Sequence, residues 1–566
     1  MKRKSALLVC ITAALAIGAL VFGSIGAEGK PKAPKRVLIV LFDQMRPEYA
    51  NRFDMSNFKR LRDQGTDFHE AYLGYMGSET VISHNVIVSG QLPKHQGWVD
   101  EAYRDTGNLL GFGANKMHIT GDLSLSDYQK LILNAGYPKL ADYLHAKFPG
   151  TKFITVGEKS YAVETAAATG VTLPGDIAVR MSSRKNAEPC KTTLGGQYRV
   201  PGAGLNVPAY LSSPDCNRLF VNADKGNDYG TKAAFPSWMY PEEGNRFMPG
   251  TDPAHLGGDT WVADAAMAMM ERENWSGMFV TLGAIDKAGH MWGADQDTDG
   301  HDCTVGAGQV HVDCAAKNAD VQLGRMLAKL EALGQLDDTL VVLTADHGAT
   351  HGGSLTNGGT SAANFYGRTG LLAGDTNWYY GPGTDVIDGG APSTSYSTPS
   401  PALQPLVDTG NVQFSYQSTG IETWLKDTSP AKKAQATAAM LTLPGVIASY
   451  SREGDHFVLG GRNDMTKSEE MWWKKHGQEI VDTMAADNGP DVVGLLHDDT
   501  SYGVYGDHGG ATEEVQRVPV VFWSSDDLHG NSVGEPFQTP DIMPTILRAL
   551  GIEATHAVDG HGHKLK

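Results

Sequence analysis

The sequence predicts an α/β protein: a central, mostly parallel sheet flanked by helices on both faces and interrupted by loop-rich insertions. Three observations predict it. Short apolar, β-branched runs recur along the chain, helical patterns lie between several of them, and two long stretches break that rhythm.

The chain opens on the charged segment MKRKS, continues through the uninterrupted apolar run ALLVCITAALAIGALVFGSIG and turns polar at AEGKPKAPK, the order of an export signal. Residues 1–27 are therefore expected to be a signal peptide or an N-terminal membrane anchor, followed by a linker over 28–35. Cleavage near Gly26 or Ala27 is the favoured expectation although Ile25 is not small, and the length of the apolar run keeps membrane attachment through this segment open. Either way the protein is expected outside the cytoplasm, periplasmic or secreted. Cys10 lies too early in the apolar run to be a lipid attachment site.

From residue 36 onward a single catalytic domain is expected. RVLIVLFD at 36–43 has the continuous apolar character of a strand buried on both faces. KFITV at 152, MFVTLGAID at 278, TLVVLTADHG at 339, DVVGLL at 491 and VPVVFWS at 518 read as further central strands. Helical patterns start at Ser56, Pro138, Asp259 and Ala316. Residues 165–255 and about 351–460 do not fit the alternation and read as insertions. The second is low in regular pattern up to about residue 425.

A net charge of −18 over 566 residues argues against nucleic-acid binding through a basic surface. Beyond Cys10, the chain carries Cys190, Cys216, Cys303 and Cys314, an even number suited to disulfides in an oxidising compartment. Three connectivities are open. The local one, Cys190 with Cys216 and Cys303 with Cys314, is expected because each bridge would staple a Gly-rich polar loop. No CxxC pair supports a cysteine-ligated zinc.

Functional groups in an open α/β sheet collect past the carboxyl ends of its strands. Here those ends deliver Asp43, then Asp286 with His290, then Asp346 with His347, and GDHGG at 506–510 adds His508. One Asp after a strand is often a helix cap, and one DH dipeptide means little. Three carboxylates crowded on one edge, however, repel one another unless cations neutralise them. Mixed imidazole and carboxylate donors suit zinc, with manganese or iron as alternatives, and six donors suit two ions sharing one substrate.

Asp43, GSETVISHNVIVSG, DKAGHMWG, TADHG and GDHGG, in this order from about residue 36 to the carboxyl terminus, together resemble the alkaline phosphatase superfamily. TVISHNVIVSGQLPKHQG is similar to the nucleophile helix of its type I phosphodiesterase and nucleotide pyrophosphatase branch. The resemblance implies an alkaline-phosphatase-like fold. It also implies two zinc ions, one held by Asp286, His290 and His508, the other by Asp43, Asp346, His347 and the Thr80 oxygen. Thr80 would be the nucleophile of a phosphoester hydrolase, passing through a phosphothreonine with net retention at phosphorus. A hydroxyl at a helix start suits that role, since the helix dipole favours the resulting anion and an incoming phosphate. Read alone, Thr80 would be a helix cap. The sulfatase branch, which needs Cys or Ser in a CxPxR-like context, finds no match in SETVISH.

A phosphate monoester rewards extra positive charge, whereas a diester needs room for a second substituent. The threonine-dependent monoesterases of the superfamily carry a KxR pair and an Asn after the nucleophile helix. This chain has Lys159 at the matching Lys but Tyr161 in place of Arg, and Glu101 near the Asn position. A small-molecule diester or pyrophosphate is therefore the expected substrate. Lys159, unless it is a solvated surface lysine, keeps a monoester open. A silent metal-binding module and a phosphoryl or head-group transferase are the competing readings. Asp295, Asp297, Asp299 and Gly300 repeat the opening of a calcium loop, but its closing Glu is replaced by Gly306, and an acidic solvated loop is the plainer reading. His301 and His351 read as polar loop residues.

Overall fold

Five strands frame the site: β1 (Arg36–Phe42), β2 (Lys152–Gly157), β3 (Trp275–Leu282), β4 (Thr339–Thr344) and β5 (Val520–Trp523). They belong to a computed structural model that describes residues 33–167, 176–181, 197–199, 202–212, 220–222, 256–292, 294, 312–350, 364–366, 378–503, 506–525 and 530–565. Pro34–Lys566 forms one compact unit. The expected signal segment and residues 28–32 of the linker lie outside the described residues. Among the described residues no helix is long and apolar enough to cross a membrane.

The sheet has nine strands in the order Asn531–Val533, Thr66–Phe68, β5, β4, β1, β3, β2, Ile177–Met181, Gly202–Leu205. β1 pairs in parallel with β3 and β4, and β2 in parallel with β3 and with Ile177–Met181; β5 runs antiparallel to β4. The central position of β1 follows from its composition, since Val37 to Phe42 are all buried and present no polar side chain to either face. Register then fixes the functional edge. Phe42 lies opposite Leu282 and Leu41 opposite Thr344, so β1, β3 and β4 end together.

The helices that matter are α1 (Thr80–Ser89), α2 (Leu140–Lys147), α3 (Ser160–Ala166), α4 (Leu256–Arg272), α5 (Ala284–Trp292) and α6 (Val312–Ala332). α4 and α6 supply part of the core that covers the sheet, with Trp261, Val262, Ala266, Leu323 and Met326 among its fully buried members.

A second sheet of six antiparallel strands stands apart from the first. Its order is Tyr379–Tyr380, Val412–Gln417, Gly420–Leu425, Val492–Leu496, Val446–Glu453, His456–Arg462. DVVGLL is thus a central strand, but of this second sheet, because its Val493 and Leu495 pack with Ile447 and Ile480 rather than with the main core. Within the stretch expected to lack regular pattern, Val412–Gln417 and Gly420–Leu425 form a hairpin. Its buried faces carry Ser415, Gln417, Glu422 and Thr423, which hid it from a reading based on apolar runs. Of the four cysteines beyond Cys10 only Cys314 is described, so the expected Cys303–Cys314 bridge lies partly outside the described residues. The expected Cys190–Cys216 pair lies wholly outside them.

α1 is buried at all ten positions. Beneath it Lys139, 1 % exposed, donates from Nζ to Asn85 Oδ1 at 2.8 Å. Burial pushes the Lys139 ammonium down to about 7 from 10.5. Between those values the unfolded chain holds a proton that the folded chain has released, so stability rises with pH across that window. Lys139→Met is expected to remove this contribution, at most about 1.4 kcal/mol per pH unit, read as the difference between wild-type and variant urea midpoints at pH 7 and pH 9.

Candidate active site

Each strand end presents its side chain for a local reason. Asp43 directly follows β1, its N–H donating to Leu282 O at 3.0 Å. The next residue, Gln44, adopts φ 66°, a left-handed conformation that a non-glycine residue holds only when its surroundings enforce it. Here they do: Gln44 N donates to Asp346 Oδ1 at 3.1 Å, and Nε2 donates to Gly506 O at 2.7 Å and to Asp286 Oδ1 at 3.4 Å. One residue thus ties its own segment to the other three. Asp286 occupies the first turn of α5, whose free N–H groups at Gly283 and Ala284 are accepted by Asp259 Oδ1 at 2.8 and 3.2 Å. Between Asp286 and His290, Gly289 is required, because a Cβ there would stand 1.8 Å from Gln44 Oε1.

The six expected ligands meet. Asp43, Asp346 and His347 offer atoms within 4.8 Å of one another, as do Asp286, His347 and His508, and also His290, Asp507 and His508. His290 Nε2 lies 3.0 Å and His508 Nε2 3.7 Å from Asp286 Oδ1. The His347 and His508 rings stack at 3.5 Å. Asp346 Oδ2 and His290 Nδ1 are buried with no hydrogen-bond partner, which in a well-packed interior marks a place for a cation or water.

Thr80 is the first residue of α1, with Glu79 at the cap position, and no side chain caps this helix. The Thr80 hydroxyl is therefore directed elsewhere. Its Oγ1 lies 3.4 Å from His347 Nε2 and accepts from Lys159 Nζ at 3.3 Å. Lys159, far from being a solvated surface lysine, is 2 % exposed, with Nζ 2.6 Å from Asp43 Oδ2 and 2.7 Å from Asp286 Oδ2. Tyr161 places its ring 5.8 Å from the same ammonium. Glu101 accepts from the Tyr379 hydroxyl at 3.0 Å.

The electrostatics state what this arrangement needs. Burial, then Asp286, pushes Asp43 up; burial, then Asp43, pushes Asp346 well up. Burial acts the same way on Asp286, but Lys159, Lys287 and His290 outweigh it and hold that carboxyl well below the usual range. Burial would neutralise Lys159, yet Asp286 and Asp43 keep it firmly protonated. Two ammonium groups do not balance three carboxylates in a dry site, and the donor set fits further cations.

Sequence reasoning missed several participants. Lys287 Nζ stands 3.0 Å from Asp286 Oδ2. Glu79 Oε2 lies 2.8 Å from His508 Nδ1, close though bent, and Glu79 Oε1 accepts from the Tyr416 hydroxyl at 2.7 Å. Asp507 sits in a second DH dipeptide, the one available signal; its carboxylate accepts from Ser501 Oγ and from His508 N. Asp295, Asp297, Asp299, His301 and His351 lie outside the described residues.

Comparison with known proteins agrees with this constellation. The family model described as type I phosphodiesterase / nucleotide pyrophosphatase matches residues 37–358, more than half of the chain. An alkaline phosphatase named PhoK from Sphingomonas sp. is 25% identical over 335 residues. That alignment covers 56% of this chain and 55% of the relative, so the chain matches about half the length of this curated relative. Among solved structures, wild-type alkaline phosphatase PafA superposes with a TM-score of 0.58 at 14% identity, over 94% of this chain and 99% of that one, a likeness of fold. The chain belongs to the type I phosphodiesterase / nucleotide pyrophosphatase family, within the alkaline phosphatase superfamily.

Proposed function

We propose that this protein is an exported, metal-dependent phosphoester hydrolase that works through a phosphothreonine on Thr80. The observation that carries this reading is the gathering of buried candidate ligands around Lys159, whose Nζ reaches Asp43, Asp286 and the Thr80 hydroxyl. Asp286, His290 and His508 would hold one zinc ion; Asp43, Asp346, His347 and Thr80 Oγ1 would hold the other. When bound, the ions supply Lewis-acid charge that acidifies a hydroxyl and offsets negative charge on the phosphoryl oxygens.

The chain's own groups do the rest. The α1 N-terminus turns its free N–H groups and dipole toward an incoming phosphate. Lys159 Nζ orients the Thr80 hydroxyl and faces the same space as a phosphoryl oxygen. Thr80 Oγ1 bonds to phosphorus as the bond to the leaving group breaks; water then cleaves the phosphothreonine and regenerates the hydroxyl. Full burial of α1 keeps other water away.

A small-molecule diester or pyrophosphate is the preferred substrate. Tyr161 stands where a monoesterase would carry Arg, and Glu79, the residue before Thr80, adds a buried carboxyl group at the start of α1. A dianionic monoester is penalised there. A monoester is the second reading, favoured by the paired ammonium groups of Lys159 and Lys287 and by the alkaline phosphatase names of PhoK and PafA.

The test is the ratio of kcat/KM for a chromogenic diester to that for the matching monoester, measured with zinc. Diester preference supports the first reading and a monoester preference the second; turnover of neither sinks both. Tyr161→Arg is expected to shift the ratio toward the monoester by about tenfold or more, since each added charge–oxygen contact contributes on the order of 1.5–3 kcal/mol.

A further inference from the structure

His508 is held from behind by a carboxylate beside Thr80 and by a hairpin of the second sheet, groups to which the sequence reading assigned no role. Its Nδ1 lies 2.8 Å from Glu79 Oε2, on the side of the ring opposite the Nε2 that faces Asp286 at 3.7 Å. Glu79 is 2 % exposed, and its other oxygen accepts from Tyr416 at 2.7 Å. Tyr416 belongs to the second sheet, in the hairpin Val412–Leu425, and its ring stacks on Tyr379 at 5.1 Å. The same hairpin grips the segment that carries His508. Ser418 Oγ donates to Gly509 O at 2.8 Å, and Thr419 N donates to His508 O at 3.3 Å. Gly509, at φ 87°, leaves room for the carboxylate; a Cβ there would stand 1.8 Å from Glu79 Oε1.

An imidazole that binds a metal through one nitrogen has its other N–H free, and the group accepting it fixes the tautomer and ring orientation and raises ligand basicity. We propose that Glu79, anchored by Tyr416, is the positioning residue of His508: it accepts the Nδ1 proton, turns Nε2 toward the cation space beside Asp286, and couples the nucleophile helix to the second sheet. The inference rests on the metal-site reading given above. It makes the second sheet part of the site, because removing the Tyr416 hydroxyl leaves one Glu79 oxygen without its donor and lets the carboxylate swing away from His508.

The experiment measures zinc affinity directly. Metal-free wild type, Glu79→Ala, Glu79→Gln and Tyr416→Phe are titrated with zinc against a chromophoric chelator, and bound metal is counted by elemental analysis. Wild type is expected to take up two ions, and Glu79→Ala to bind one of them about ten- to a hundredfold more weakly, leaving the other unchanged. Glu79→Gln, whose amide oxygen still accepts from Nδ1, is expected to recover part of that loss. Tyr416→Phe, which leaves Glu79 in place, is expected to show a smaller loss at the same ion. A general loss of fold would weaken both ions together and would not be rescued by Gln. Wild-type affinity for both ions in Glu79→Ala overturns the proposal while leaving the hydrolase reading intact. A wild type that takes up no zinc overturns both.

Discussion

Thr80→Ala is expected to lower kcat/KM for the diester by at least about a thousandfold, because it deletes the proposed nucleophile while leaving every other group in place. The loss should appear in kcat at saturating zinc. Folding should be nearly untouched, because the Thr80 side chain does not cap α1 and, among the described residues, its hydroxyl bonds to His347 and Lys159 alone. An unfolding free energy within about 1 kcal/mol of wild type is the matching expectation, as for a substitution that creates little cavity and breaks no cap. Thr80→Ser, which keeps a hydroxyl, should retain measurable turnover. A variant Thr80→Ala that hydrolyses diester at the wild-type rate would move the nucleophile elsewhere.

Metal removal is the second large effect. Dialysis against a chelator is expected to abolish turnover and to lower the thermal midpoint, and zinc should restore both. The stabilisation by ions bound only to the folded chain follows mass action, about 2.7 kcal/mol for each ion at a free concentration one hundred times its Kd. The structural cause is specific. Without ions, Asp43, Asp286 and Asp346 face one another in a buried site, offset among the described residues by Lys159, Lys287 and the neighbouring His290 and His508. Calorimetry at stepped zinc concentrations checks this: the midpoint should climb with zinc. A midpoint indifferent to zinc and chelator alike would contradict the ligand assignment.

The main sheet was legible because its central strands are apolar throughout. β1, β3 and β4 have to be buried on both faces, and once they lie parallel and in register the residues after them share an edge. Asp43, Asp346 and His347 could therefore be picked from the sequence and meet in space. The second sheet was not legible in the same way. Val412–Gln417 and Gly420–Leu425 bury Ser415, Gln417, Glu422 and Thr423, and a strand whose polar groups are satisfied by tertiary partners looks like loop. Lys159 was ambiguous for a related reason: nothing local distinguishes a lysine drawn in by Asp43 and Asp286 from one left in water. Glu79 and Gln44 were invisible because their partners, His508, Asp346 and Gly506, are hundreds of residues away. Neither short spacing nor periodicity carries such information.

The bond from the Gln44 side chain to Gly506 O joins residues 462 positions apart. Contacts of that span form only after the intervening chain has collapsed around them, which places the finished site among the last features of the fold to appear. A chain still emerging from synthesis carries Asp43 and Thr80 long before His508. Under the two-ion proposal, zinc uptake at the Asp286 site would therefore report that the late segment has docked.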